Sequence, residues 1–151
     1  MAYYFAPLEG ITDRIYRNLH RKYFSGVDRY FTPFFSPTMH RVLTAKELRE
    51  LEFTPDLQVI PQILTKESDD FIWMAQQCQS LGYTQINLNL GCPSGTVTAK
   101  GKGAGMLRDI SSLDGFLDRI FSASPLPVSI KTRIGFEDSA ELPALLQVWN
   151  Q

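Results

Sequence analysis

Short apolar runs alternate with segments of helical spacing along the chain. Runs rich in apolar, β-branched and aromatic side chains predict strands at residues 3–7, 28–35, 58–64, 85–90 and 128–134. Helical spacing predicts helices over residues 12–24, 44–51, 65–81, 109–123 and from about residue 138 to the end. The alternation repeats roughly every 25–35 residues, which predicts a parallel sheet with right-handed crossovers.

Capping residues indicate where several of these helices begin and end. Thr12 and Asp13 supply an N-cap for the first helix, Thr44 for the second and Thr65 for the third. Gly82 marks the C-terminal stop of the third helix.

Apolar residues recur along the faces of two of these helices. In the first helix they are Ile15, Tyr16, Leu19 and Tyr23. In the third helix Cys78 shares its spacing with three other apolar residues, so we expect its thiol in the core.

The last two strands are polar on one face. Asn87 and Asn89 share a face of strand 85–90, and Lys131 and Arg133 share a face of strand 128–134. A strand inside an ordinary parallel sheet is apolar on both faces. A polar face near the C-terminal ends is typical of a (β/α)8 TIM barrel, whose mouth carries the site. A doubly wound sheet is the alternative, although the first βα turn lacks a G-x-G-x-x-G sequence.

Composition narrows the class of protein. The chain has 151 residues, a net charge of -1 and a pI of about 6.1, so it predicts one domain without a global signal for nucleic acid. Its two cysteines favour a reducing, cytoplasmic setting and are too few for a disulfide framework or a zinc site. No apolar run reaches the ~20 residues of a membrane span, and the N-terminus indicates a strand rather than a signal peptide.

The strongest chemical signal lies at the end of strand 85–90, where residues 87–94 read NLNLGCPS. Gly91 lets the chain turn sharply and Pro93 cannot continue a strand ladder, so Cys92 lies on a rigid corner. A lone cysteine is most often a small buried hydrophobe. Its place between Gly and Pro, at the end of a barrel strand, favours a functional role for Cys92 instead.

A glycine-rich segment follows this corner. Residues 91–105 hold five of the ten glycines together with Lys100 and Lys102. We interpret the segment as a mobile lid that closes over a polyanionic substrate, with a plain surface loop as the alternative. A P-loop does not fit, because no G-K-[ST] follows at the required spacing.

A second group of polar residues falls at other strand ends. Lys131 and Arg133 stand in a strand whose neighbours indicate burial, and two buried cations need an anion such as a flavin or a phosphate. Exposure of both cations at the surface is the alternative. Residues 6–10 end the first strand and Gln62 lies near the end of the third. Together they place amide donors and backbone groups around one barrel mouth.

These segments together resemble the tRNA-dihydrouridine synthase family. They occur in order and at the family's spacing, and they cover residues 3 to about 136. The matching segments are residues 6–13 (APLEGITD), Gln62, residues 87–94, residues 100–105 (KGKGAG) and residues 128–135 (VSIKTRIG). One departure is Leu8, where many members have Met, a change that conserves volume.

The resemblance implies FMN as cofactor, NADPH as the outside reductant and tRNA as substrate. Cys92 would protonate C5 of a uracil ring that is flipped out of the tRNA and receives a hydride at C6. The residues implied for FMN are Pro7, Leu8, Glu9, Gln62 and Lys131. Those implied for the substrate are Asn89, Arg133, Lys100 and Lys102.

A full barrel takes about 250 residues, so the resemblance also implies an N-terminal part, about five βα units long, of a longer FMN-binding domain. The later strands with their phosphate loops and the C-terminal helical tRNA-binding domain are then expected to be absent. We expect exposed sheet edges that favour self-association, weak FMN binding and little activity. Two alternatives stay open: another FMN-dependent pyrimidine oxidoreductase, similar to dihydroorotate dehydrogenase, or a non-catalytic half-barrel that binds RNA or a partner.

Overall fold

The computed structural model describes residues 1–52 and 57–150. Each predicted strand and helix has a counterpart in it. The strands are β1 (Tyr4–Phe5), β2 (Arg29–Phe31), β3 (Val59–Ile60), β4 (Gln62–Ile63), β5 (Ile86–Leu90) and β6 (Val128–Thr132). The α-helices are α1 (Arg14–Tyr23), α2 (Ala45–Glu50), α3 (Ser68–Ser80), α4 (Gly95–Thr98), α5 (Ile110–Ala123) and α6 (Leu142–Trp149), and two 3₁₀ helices cover Gly103–Arg108 and Ser139–Glu141.

All the described strands are parallel, as predicted for an α/β fold. They form two sheets, β1-β2-β3 and β4-β5-β6, in which spatial order follows chain order. The order does not reverse anywhere in the described part of the chain, so a doubly wound arrangement is not seen there. One cavity of about 340 Å³ is lined by residues of both β1 and β6, which shows that the two outer strands curve toward a common interior.

The predicted strand 58–64 is divided, because Pro61 separates β3 from β4. Proline has no backbone N–H, but its carbonyl still accepts a hydrogen bond from the N–H of Asn87 at 2.8 Å. On the other side, the hydroxyl of Thr32 accepts the N–H of Gln62 at 3.0 Å. The two sheets are therefore joined through one extended segment whose hydrogen bonds pass from β2 to β5.

The core lies between β5 and the helices α3 and α5. Every residue of β5 is buried, and its apolar face packs with Phe71, Cys78 and Leu113 in one cluster of buried side chains. The expectation that Cys78 belongs to the core is confirmed, since its residue is 0% exposed. No helix in the described part of the chain is both long enough and apolar enough to cross a membrane.

Several predicted caps are confirmed and one is wrong. Asp13 and Thr44 cap α1 and α2, and Gly82 ends the turn after α3 with a φ of 91°. Thr65 does not cap α3, which begins only at Ser68. The hydroxyl of Thr65 instead accepts the N–H of Glu67 in the turn before the helix.

Helix α1 does not bury its apolar residues. Ile15, Leu19 and Tyr23 are 66%, 50% and 68% exposed, whereas Arg17 is 2% exposed. The helix lies beside β1, which has β2 as its only partner strand among the described residues. Its apolar face therefore borders the open edge of the sheet.

The buried Arg17 joins α1 to α2. Its guanidinium pairs with the carboxylate of Glu50 and donates a hydrogen bond to the carbonyl of Thr12 at 2.9 Å. The backbone N–H of Arg14 donates to the same carboxylate at 3.0 Å. The hydroxyl of Thr12 in turn accepts the N–H of Leu8 at 2.8 Å, so this ion pair supports the loop that follows β1.

We expect Arg17→Ala to lower the free energy of unfolding by about 3 kcal/mol, because it leaves a poorly solvated carboxylate without its partner. Arg119→Ala is the matched control, since its ion pair with Asp69 is exposed on both sides and its loss should change stability far less. Urea unfolding of the two variants measures both values. Equal losses would show that the Arg17–Glu50 pair adds nothing beyond a surface contact.

Candidate active site

A cleft of about 330 Å³ opens at the C-terminal ends of the strands. It collects side chains from the loop after β1, the segment after β2, and the ends of β4, β5 and β6. The residues that line it are Pro7, Leu8, Glu9, Pro33, Phe34, Gln62, Asn89, Gly91, Cys92, Pro93, Lys131 and Arg133.

Eight of the residues predicted from the sequence line this one cleft: Pro7, Leu8, Glu9, Gln62, Asn89, Cys92, Lys131 and Arg133. Lys100 and Lys102 do not. Lys100 is exposed, and the Nζ atom of Lys102 donates a hydrogen bond to the hydroxyl of Ser36 at 3.0 Å. Ser36 belongs to the segment that follows β2, so Lys102 also lies toward the C-terminal ends of the strands.

Buried amides form the floor of the cleft. Gln62, Asn87 and Asn89 are 0%, 2% and 7% exposed. The Nδ2 of Asn89 donates to Oε1 of Gln62 at 2.8 Å, and the Nε2 of Gln62 donates to Oδ1 of Asn87 at 2.7 Å. The Nδ2 of Asn87 then donates to the hydroxyl of Ser129 at 2.9 Å. Three strands are therefore tied together by side chains below the cleft.

The turn after β5 is held by one side-chain oxygen. Oδ1 of Asn89 accepts the N–H of Gly91 at 3.0 Å and the N–H of Cys92 at 2.9 Å. Nε of Arg133 donates to the carbonyl of Gly91 at 2.8 Å from the neighbouring strand end. These bonds fix the backbone at Cys92, whose side chain is half-buried at the edge of the cleft.

The last part of the glycine-rich segment is packed rather than open, so the lid interpretation is wrong for residues 103–105, which are all buried. The N–H of Ala104 donates to the carbonyl of Cys92 at 3.1 Å. A Cβ added at Gly103 would lie 2.9 Å from the carbonyl oxygen of Cys92, and one at Gly105 would lie 2.8 Å from that of Thr98. The glycines permit close backbone approach, a requirement that composition alone does not separate from flexibility.

The two predicted cations are exposed, so the expectation that Lys131 and Arg133 lie in a buried strand is wrong. The cause is that β6 has β5 as its only partner strand among the described residues. Neither cation takes part in an ion pair within residues 1–52 and 57–150. Both keep their positive charge available to an anion in the cleft.

Two residues that line the cleft, Pro33 and Phe34, were not predicted from the sequence as site residues. They lie within residues 28–35, whose aromatic and threonine content predicts a strand and no site. The signal that could have revealed them is their place after Thr32, where the proline interrupts the ladder and turns the chain across the mouth.

The two thiols have different surroundings. Burial raises the pKa of Cys78 to about 12, so this thiol stays protonated and unreactive at neutral pH. Cys92 instead lies at the cleft, among polar side chains.

In the described part of the chain no cluster of three or more His, Cys, Asp or Glu side chains could hold a metal ion. The chemical groups that line the cleft are one thiol, one carboxylate, amide groups and two cations.

Comparison with known proteins identifies the relatives of this chain. A family model described as dihydrouridine synthase matches residues 4–147. "Probable tRNA-dihydrouridine synthase 1" of Synechocystis is 27% identical over 133 residues, which cover 88% of this chain and 37% of that protein. "Probable tRNA-dihydrouridine synthase 2" of Bacillus subtilis is 30% identical over 139 residues, covering 90% and 42%. The chain thus spans about two fifths of the length of the curated relatives it matches.

We expect Gly103→Ala to lower the free energy of unfolding by about 2 kcal/mol, because a left-handed φ and a backbone clash act together. The φ of Gly103 is 58° and its added Cβ would meet the carbonyl of Cys92. Alkylation of Cys92 by iodoacetamide, located by peptide mass spectrometry, should also become faster as the clash loosens the turn. Gly95→Ala is the control, since a Cβ there meets nothing within 4 Å. Identical behaviour of the two variants would refute the close approach.

Proposed function

Because the chain belongs to the dihydrouridine synthase family, we propose that it is the N-terminal, FMN-binding part of a barrel enzyme that reduces uridines of tRNA to 5,6-dihydrouridine. The observation that carries the proposal is the single cleft that gathers a half-buried thiol, two buried amides and two cations, neither of which forms an ion pair with another described residue. In the proposed barrel, the five strand positions of the chain supply the first five βα units of eight.

The residues of the cleft fit a flavin. Its volume of about 330 Å³ lies within the range of small-molecule sites. Lys131 would pair with the anionic side of FMN, and Gln62 would donate a hydrogen bond to the ring from the floor. The loop of Pro7, Leu8 and Glu9 would line the cofactor with backbone groups, and the Thr12 hydroxyl bonded to Leu8 holds that loop in place. FMN, when bound, supplies a hydride for C6 of the pyrimidine.

In this proposal Cys92 holds the proton for C5 of the uracil. The carbon becomes basic as negative charge develops on the ring, so a nearby donor lowers the barrier. A thiol carries one S–H group, which is the proton that this role requires. Asn89 and Arg133 would hold the carbonyl groups of the ring, since both carry N–H donors toward the cleft.

Lys100 and Lys102 would contact the tRNA backbone outside the cleft. Lys102 lies beside Ser36 toward the same end of the strands, and no ion pair engages either lysine in the described residues. Phosphate contacts of this kind strengthen binding without reading sequence. NADPH would act as the outside reductant, and we place this activity in the cytoplasm, where tRNA is modified.

A second candidate function is a non-catalytic half-barrel that assembles with a partner. The observation in its favour is the exposed apolar face of α1 beside the open edge of β1, which a second copy of the chain could cover through self-association. A half-barrel of this kind is expected to bind no flavin. An FMN-dependent pyrimidine oxidoreductase similar to dihydroorotate dehydrogenase, by contrast, is expected to bind flavin and to act on free pyrimidines rather than on tRNA.

We expect the chain to bind FMN weakly and Lys131→Met to raise the FMN dissociation constant about tenfold, since a charge-assisted bond is worth about 1.5 kcal/mol. Lys100→Met should leave FMN affinity unchanged, because Lys100 lies outside the cleft. Quenching of flavin fluorescence measures both values. Equal affinities for all three proteins would place the cofactor elsewhere.

We expect Cys92→Ala to keep the FMN affinity of the wild-type chain and to form no dihydrouridine. The assay supplies NADPH with unmodified tRNA in one series and with orotate in another. Mass spectrometry measures dihydrouridine in the digested tRNA of the first series and dihydroorotate in the second. Little product is expected even from the wild-type chain, so single-turnover conditions with excess protein are used. Product from Cys92→Ala at the wild-type rate would exclude the thiol as the proton donor.

A further inference from the structure

The amides below the cleft form one hydrogen-bonded chain with a fixed direction. Backbone N–H groups of Gly91 and Cys92 can only donate, so Asn89 must turn its oxygen toward them and its nitrogen toward Gln62. Gln62 must then direct its own nitrogen toward Asn87.

The same constraint continues below Gln62. The oxygen of Asn87 accepts from Gln62, so its nitrogen is directed to the hydroxyl of Ser129 at 2.9 Å. The hydroxyl of Ser129 then donates its own proton to the backbone carbonyl of Ile86 at 3.4 Å. A backbone carbonyl can only accept, so both ends of the chain are fixed by backbone groups and no amide within it can rotate without breaking two bonds.

We infer that Asn87 and Ser129 are positioning residues for the cleft. Both lie below the cleft, and neither is among the residues that line it. They hold the amide of Gln62 in one orientation, and through Gln62 they hold Asn89 and the turn at Cys92. The inference rests on the proposed function for its meaning in catalysis, but the positioning itself is a property of this chain alone.

The fixed direction also defines what Asn89 offers to a ligand. Its oxygen already accepts two backbone N–H groups and one of its two amide hydrogens is given to Gln62. The remaining hydrogen makes Asn89 a donor only. The ligand atom that Asn89 binds is therefore an acceptor, such as a ring carbonyl oxygen. An exocyclic amino group at that place is disfavoured, because two donors would face each other.

Amide hydrogen exchange tests the positioning role without any cofactor. In Asn87→Leu we expect exchange at the N–H of Gly91 and of Cys92 to become about tenfold faster, because their acceptor is no longer held. The amides of Phe71 in α3 and Leu113 in α5 serve as internal references, since they donate to the carbonyls of the N-cap residues of these helices, far from the amide chain. In Asn87→Asp the protection of these two amides of the turn, Gly91 and Cys92, from exchange should stay near the wild-type value. The carboxyl group still accepts from Gln62, and it accepts from the Ser129 hydroxyl when ionised or donates to it when protonated.

FMN affinity supplies a second readout. Asn87→Leu should raise the FMN dissociation constant about tenfold and Asn87→Asp should restore it to within about threefold of wild type. Ser129→Ala, which removes only the last link, is the alternative variant if Asn87→Leu does not fold, and it should show the same pattern to a smaller degree.

Three results would overturn the inference. They are unchanged exchange at Gly91 and Cys92 in a folded Asn87→Leu or Ser129→Ala protein, faster exchange at every amide including the helical references, and equal behaviour of Asn87→Leu and Asn87→Asp. Failure of the wild-type chain to bind FMN contradicts the proposed function instead, and the exchange data then decide the positioning role by themselves.

Discussion

Two backbone N–H groups at the turn after β5 need a hydrogen-bond acceptor, and Oδ1 of Asn89 supplies it for both. A buried amide N–H without a partner costs about 1–3 kcal/mol, so this oxygen cannot turn away. From that constraint the rest of the site follows in order. Asn89 must orient Gln62, Gln62 must orient Asn87, and the thiol of Cys92 is carried on a backbone that these bonds hold still.

The cleft carries two cationic side chains, although the chain as a whole has a small negative charge. The net charge is -1, yet Lys131 and Arg133 stand at the same strand end without an acidic partner among the described residues. Glu9 is the one carboxylate among the lining residues. Local arrangement rather than total charge therefore makes this cleft attractive to an anion, and fixed amide donors on its floor add direction to that attraction.

Much of the arrangement could be predicted from the sequence, because strand alternation places residues on faces independently of distant contacts. Asn89 and Lys131 share a side of the sheet for that reason, and parallel strand ends meet at one edge, which brought Gln62 and Cys92 to the same cleft. The break at Pro61 is equally visible in the sequence, because proline lacks the N–H that a strand ladder requires.

Other features depend on contacts that no local pattern encodes. Ile15 and Leu19 recur at helical spacing, but whether such a face is buried is decided by what packs beside β1. Burial of Arg17 required a carboxylate from another helix, more than thirty positions along the chain. In residues 91–105, abundant glycine signalled freedom of motion, whereas Gly103 and Gly105 serve contacts too close for any Cβ.

The close contact between Gly103 and Cys92 has a mechanical consequence. Lys102 is bonded directly to Gly103, and the next residue, Ala104, is hydrogen-bonded to the carbonyl of Cys92 at 3.1 Å. A pull on the lysine side chain is thus transmitted through three consecutive residues to the backbone that bears the thiol. Any anion that binds Lys102 would therefore also act on the backbone at Cys92.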